Sequence, residues 1–271
     1  MKKRVNFIIF SILIVLLAWI AKEGYRSAKM YEQNSFAISH MLKPENLAKM
    51  KFESFADTLT FGLYESKSTK SLNLLQTKQK DLKEKTNKIA VAFGIVAGLI
   101  LIFSFMVSAR FGTVVLCVGA LIALINGLVT PVLMVTVHKE IEYFGDMILS
   151  FESKGILESL MSLYKNGNSV VAVVIMLFSI VLPLLKILSL LFVAIYEYRA
   201  FASKIVHFFK VIGKWSMADV FVVSMLLVYL SNSNSDMSKA EIEVGLYFFL
   251  VYVILSMFAS IRAEKMLKYI E

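Results

Sequence analysis

Two stretches of this sequence carry no charge over a length that only a bilayer readily accommodates. Residues 89–109 (IAVAFGIVAGLILIFSFMVSA) and residues 113–137 each run past 20 positions without Asp, Glu, Lys or Arg. About 20 apolar residues in helical geometry match the hydrocarbon core of a membrane, whereas soluble core helices seldom stay uncharged that long. Composition agrees: 58% of the chain is apolar or aromatic and only 18% is charged, against about 25% charged in an average soluble domain. These features predict an all-α membrane protein of about six transmembrane helices.

The spans are read at Val5–Ala21, Ile89–Ala109, Gly112–Val137, Ser169–Tyr196, Met217–Leu230 and Val244–Ile261. The first follows Lys2, Lys3 and Arg4, as a signal peptide would. Its apolar run is long for one, and Trp19 stands where a cleavage site wants a small residue, so an uncleaved anchor is the preferred reading. The fifth is the shortest, and charge parity supports it. With six spans, the basic N-terminus, Arg110, Arg199, Lys204, Lys210, Lys214, Arg262, Lys265 and Lys268 share one side, which the positive-inside rule makes cytoplasmic. Both termini are then cytoplasmic, and 22–88, 138–168 and 231–243 lie outside. The lysine-rich segment 22–88 is long enough to translocate regardless of its charge.

Two domains follow: an N-terminal hairpin, 1–111, with the polar external loop 22–88, and a four-helix module, 112–268. Within the loop, Ser68–Lys88 has good helix formers. Leu72, Leu75, Gln79 and Leu82 share one helical face, predicting an outward extension of the second span or a partner-binding helix. In 138–168, Phe144, Met147, Ile148 and Phe151 recur at helical spacing, as do Ile156, Leu157, Leu160 and Leu163–Tyr164, which predicts an amphipathic segment that packs on the outer membrane surface or caps the bundle.

The net charge of +9 would suggest nucleic acid in a soluble chain. Here the positive residues flank apolar runs or sit in one loop, which fits anionic lipid headgroups, and no nucleic-acid partner is expected. One cysteine, Cys117, rules out a disulfide framework or thiolate zinc site. His40, His138 and His207 lie in separate loops, and no metalloprotease, serine-hydrolase or phosphate-loop motif is present. No enzymatic activity, metal or cofactor is expected.

Polar residues inside the spans are the informative ones, because they are costly in lipid. Lys186 lies about ten residues, or about 15 Å, from Tyr196, too deep for its side chain alone to snorkel out comfortably. Asp219, at the start of the fifth span, is the candidate partner; it also completes a capping-box spacing with Ser216. Ser256 stands at comparable depth to Lys186. Pro183 predicts a kink, with Ser179 four residues earlier free to bond locally. Asn126 and Pro131, with Thr130, predict a polar break in the third span. Gly94 and Gly98 form a G-x-x-x-G, a weak signal of close helix packing.

The stretch Ser179-Ile-Val-Leu-Pro183-Leu-Leu-Lys186, then Gly213-Lys-Trp215-Ser216-Met217-Ala-Asp219-Val-Phe, then Gly245-Leu-Tyr, resembles the paraquat-inducible protein A family in order and spacing over about 113–265. Members commonly carry two such modules, each preceded by a cysteine-rich zinc ribbon; this sequence has one module, no ribbon, and an unrelated 1–111. The resemblance implies a bacterial inner-membrane subunit that exchanges membrane lipids with an MCE-domain periplasmic protein and supports the cell envelope. It also maps Lys186 and Asp219 onto polar positions of the family's bundle, Pro183 onto its kink, and Trp215 and Met217 onto the start of its fifth-span motif. Two other readings stay open: a membrane scaffold or stress adaptor working through 22–88, and an ion-coupled transporter of a small solute.

Overall fold

A computed structural model of the chain describes residues 2–43, 45–47, 49, 53, 67–141, 145–196 and 238–268. In chain order the elements are helices α1 (Lys2–Met41), α2 (Lys67–Met106) and α3 (Ala109–Val129), strands β1 (Leu133–Ile141) and β2 (Gly145–Lys154), and helices α4 (Ile156–Lys165) and α5 (Ser169–Met176). A π-helical turn, Leu177–Val181, then leads into α6 (Leu182–Tyr196), β3 (Ser238–Ile242) and α7 (Val244–Lys268).

Five helical segments among the described residues are long and apolar enough to cross a membrane: those within α1, α2, α3, the continuous α5–α6 unit, and α7. The fifth span read from the sequence, Met217–Leu230, lies outside the described residues. The central helix is α3, which touches α1, α2, α6 and α7; 61% of its apolar window is buried, against 22% for α1 and for α5–α6. Leu17, Phe93, Ile100, Leu116, Leu124, Leu190, Phe248 and Leu255 fill the space between these helices. The outer faces carry Phe7, Ile12, Trp19, Ile95, Ile102, Val170 and Val173, all more than half exposed. Such a girdle would be a severe liability in water and is the expected surface toward lipid.

Close approach of α7 to α3 depends on two glycines. A Cβ at Gly127 would stand 2.9 Å from the Phe249 amide nitrogen, and one at Gly245 would stand 2.5 Å from the Pro131 carbonyl oxygen. The Gly94–Gly98 pair does nothing similar. Among the described residues no heavy atom lies within 4 Å of a Cβ at either, so no described helix packs closely on that motif.

The N-terminal hairpin is longer than the membrane. At 40 residues each, α1 and α2 extend about 60 Å, twice the roughly 30 Å hydrocarbon core. Among the described residues of the polar segment, 22–41 and 67–88 are helix, as expected for Ser68–Lys88. Beyond the apolar windows the helices are joined by Ser27 Oγ to Thr86 Oγ1 (3.1 Å), Asn34 Nδ2 donating to the Leu75 carbonyl (2.8 Å) and Gln79 Nε2 donating to Ser35 Oγ (3.0 Å). Gln79 and buried Leu82 lie on the face singled out in the sequence.

Outside the membrane helices the fold is not purely α. The third span stops at Val129 rather than Val137, because Pro131 lacks an amide donor and biases Thr130 toward extended backbone, where it is found (φ −82°, ψ 145°). The chain then enters a three-stranded antiparallel sheet of order β2-β1-β3. Residues 145–154 form β2, so the helical spacing of Met147, Ile148 and Phe151 is coincidental there, and Phe144 lies outside the described residues. The second part of that reading holds: α4 is an amphipathic helix with no buried residue, showing Leu157, Met161 and Tyr164 at its surface.

Candidate functional site

Among the polar residues singled out in the spans, Lys186 of α6, Ser256 of α7 and Thr130 just past α3 are buried. Lys186 is buried, 7% exposed, beside Ile187 and Leu190 in α6. Cys117 of α3 is likewise buried. Ser256 of α7 is fully enclosed, and its hydroxyl donates to the Val253 carbonyl of its own helix at 3.1 Å. Asp219, Trp215, Ser216 and Met217 lie outside the described residues.

The irregularity around Pro183 takes a definite form. Pro183 has no N–H, and its ring crowds the carbonyl four residues earlier, so the helix widens. In Leu177–Val181 the bonding shifts to π spacing, with the Leu182 amide reaching the Leu177 carbonyl. Ser179 sits within this turn, half-buried. Asn126 spends its amide on its own helix, donating from Nδ2 to the Ile122 carbonyl at 2.8 Å. Thr130 is buried with its hydroxyl oxygen unpartnered among the described residues. The Pro131 carbonyl accepts the Gly245 amide, which gives the glycine of the Gly245-Leu-Tyr run a physical role.

At the opposite end of the bundle two arginines cover helix C-termini, where carbonyls have no partner within their helix. Arg110 donates from Nε to the Ala194 carbonyl (2.8 Å) and from Nη2 to the Ile195 carbonyl (2.6 Å). Arg262 donates from Nη2 to the Val107 carbonyl (2.8 Å) and stacks over the Phe105 ring (5.2 Å). Charge asymmetry marked both residues in the sequence, but not which carbonyls they meet.

A second polar cluster, at the sheet end, had no signal beyond the slight acidity of 231–243. Glu241 Oε2 accepts from the Tyr31 hydroxyl (3.1 Å) and pairs with Lys83 Nζ (2.8 Å), linking α1, α2 and β3. Glu243, two residues on and just before α7, is 6% exposed. Burial, reinforced by the Glu241 charge and only partly countered by Lys83, pushes its carboxyl up to about 8. That carboxyl is largely protonated at neutral pH.

Residues 110–269 match the family described as paraquat-inducible protein A (PqiA). The chain belongs to this family. The match takes in α3, the sheet, α4 to α6 and α7, and thus the Lys186, Pro183, Pro131 and Gly245 positions of the PqiA module. Residues 1–109, with the whole of α1 and α2, lie outside it. No curated protein and no solved structure matches the chain.

Proposed function

We propose that this PqiA-family protein is the membrane subunit of an MCE-type system that moves lipid between membranes and supports envelope integrity, without enzymatic chemistry of its own. The observation that carries the reading is the family match over 110–269. A lysine enclosed in the bundle supports it, since intramembrane charges mark functional pathways more often than they serve stability.

The reading places the protein in the inner membrane, with six crossings and both termini in the cytoplasm. Support for the even count comes from the ends flanking 197–237. Arg110, at the start of α3, bonds the last carbonyls of α6. In contrast, β3 pairs with β1, beyond the far end of α3. These two ends therefore lie on opposite sides of the bundle.

The α1–α2 hairpin favours a protein partner on the sheet side, because about half its length stands beyond the hydrocarbon core. This feature also serves the alternative, a scaffold that moves nothing. Pull-down from mild detergent, with mass spectrometry of protein and of bound lipid, separates the two. Recovery of an MCE-domain protein with stoichiometric phospholipid supports transport. A partner without lipid supports the scaffold, and neither one would sink both.

A further inference from the structure

Glu243 is fixed in place by its backbone. It lies between β3 and α7, where its amide donates to the Val132 carbonyl (3.0 Å) and its carbonyl accepts the Leu246 amide (3.2 Å). Two residues on, Gly245 is tied to the Pro131 carbonyl. With the backbone held on both flanks, this 6% exposed side chain reaches water only when a neighbouring element moves. The α1–α2 hairpin is such a neighbour, since Tyr31, Glu32 and Lys83 all act electrostatically on the Glu243 carboxyl or feel its charge.

Among the described residues, the groups around Glu243 are Tyr31 and Glu32 from α1, Lys83 from α2 and Glu241 from β3. Lys83 is already bound to Glu241 (2.8 Å), which also accepts the Tyr31 hydroxyl (3.1 Å). Lys29 is bound to Glu32 (3.1 Å) and approaches the exposed Glu158 of α4 (4.0 Å). While Glu243 is protonated, Lys83 is balanced by Glu241 and Lys29 by Glu32. Once ionised, Glu243 adds a buried negative charge with no cation of its own, and enclosing such a charge is costly. Two changes relieve it: water admitted between the hairpin and β3, or capture of Lys83 from Glu241. Each undoes the junction that joins α1 and α2 to β3.

The hairpin can move as one piece. Its internal bonds, Ser27 to Thr86, Asn34 to the Leu75 carbonyl and Gln79 to Ser35, involve none of these carboxylates. Beside the Glu241 junction, the small cluster of Tyr31, Leu82 and Met134 joins it to the sheet, and the Leu42 carbonyl accepts the Ile148 amide (3.2 Å).

We propose that Glu243 is a proton-operated latch: while its carboxyl holds a proton the outer half of the hairpin stays docked on the sheet, and loss of that proton opens the hairpin away from β3. The latch depends on neither a lipid cargo nor an MCE partner, and it sets where the projecting hairpin stands.

The test is a distance measurement on the full chain in nanodiscs, with spin labels at Lys80→Cys on α2 and Lys165→Cys on α4, both exposed positions; Cys117 is buried and stays unlabelled. Double electron–electron resonance from pH 5 to pH 10 gives the ratio of open to docked hairpin. The docked form holds the Glu243 proton up to about 8, the open form only to the ordinary 4.5. The ratio is therefore expected to rise about tenfold per pH unit toward pH 8 and to level off above it. Glu243→Gln and Glu243→Met should both stay docked across the range. A ratio that is flat between pH 6 and pH 8, one that still climbs above pH 9, where lysines titrate, or an unchanged pH response in a monodisperse Glu243 variant overturns the latch. If neither variant remains monodisperse, the wild-type profile decides alone. Stability that falls with pH while the labels keep one distance also overturns it, leaving Glu243 as a destabilising group that moves nothing.

Discussion

The Gly245 amide donates to the Pro131 carbonyl at 3.0 Å, tying the first turn of α7 to the exit of α3. A methyl group at Gly245 would meet this oxygen at 2.5 Å and the Thr130 carbonyl oxygen at 2.6 Å. Both are backbone atoms, so relief requires α7 to move. Gly245→Ala is expected to destabilise the bundle by about 1–3 kcal/mol, the usual cost of overpacking. A lowered melting midpoint in detergent checks this, and an unchanged midpoint would show that α7 and α3 do not meet here.

The raised carboxyl of Glu243 gives a pH dependence of defined sign. From its ordinary value of 4.5 up to about 8, the folded state holds a proton that the unfolded state has released. Stability therefore falls as pH rises through this window, and the penalty is complete above about 8. Lys83, Glu241, Glu32 and Tyr31 surround the group electrostatically. Thermal midpoints of wild type should fall between pH 6 and pH 9, and Glu243→Gln should flatten the slope. Parallel slopes would exclude Glu243 as the cause.

Lys186 tests the intramembrane network. An isolated lysine at mid-bilayer costs roughly 2.5–3.5 kcal/mol on insertion scales, and a carboxylate partner offsets part of this. If Asp219 is that partner, Lys186→Met and Asp219→Asn each impair the protein, and the double variant does better than additivity allows, since neither charge is stranded. Monodisperse yield and membrane-integrity complementation are measured in all four genotypes. Recovery of yield without activity indicates a transport role, and strict additivity in both assays rules out the pair.

Arg110 holds two carbonyls at the end of α6, and each hydrogen bond from a charged donor contributes about 1.5–3 kcal/mol. Lysine keeps the charge but lacks the planar fork. Thermal midpoints should rank wild type, then Arg110→Lys, then Arg110→Met. Equal midpoints for the two variants would mean that charge alone is immaterial here.

The membrane helices were legible because burying charge in lipid is so costly that it writes long uncharged runs such as 89–109 into the sequence. Family membership was legible in the residues around Pro183, Lys186 and Gly245. The sheet was not. Leu133–Val137 is as apolar as the span before it, and only Pro131 marks the change; the β1–β3 pairing joins residues far apart, which no local period records. The extension of α1 to Met41 was equally hidden. It is held by contacts to α2 and by the small cluster of Tyr31, Leu82 and Met134, three residues drawn from three elements. Glu243 escaped notice because its burial is set by the neighbouring hairpin.

The sheet has a consequence for biosynthesis. β2 follows β1 almost at once and covers one of its edges, but β3 arrives roughly 100 residues later. At about 5–20 residues per second, the other edge of β1 waits on the order of 5–20 s for its permanent neighbour. During that interval it is an open strand beside the translocation machinery, available to a chaperone or to a second nascent chain. Release from that exposure comes only when 238–242 has emerged, so a ribosome stalled before that point leaves a membrane-inserted chain with an unguarded edge.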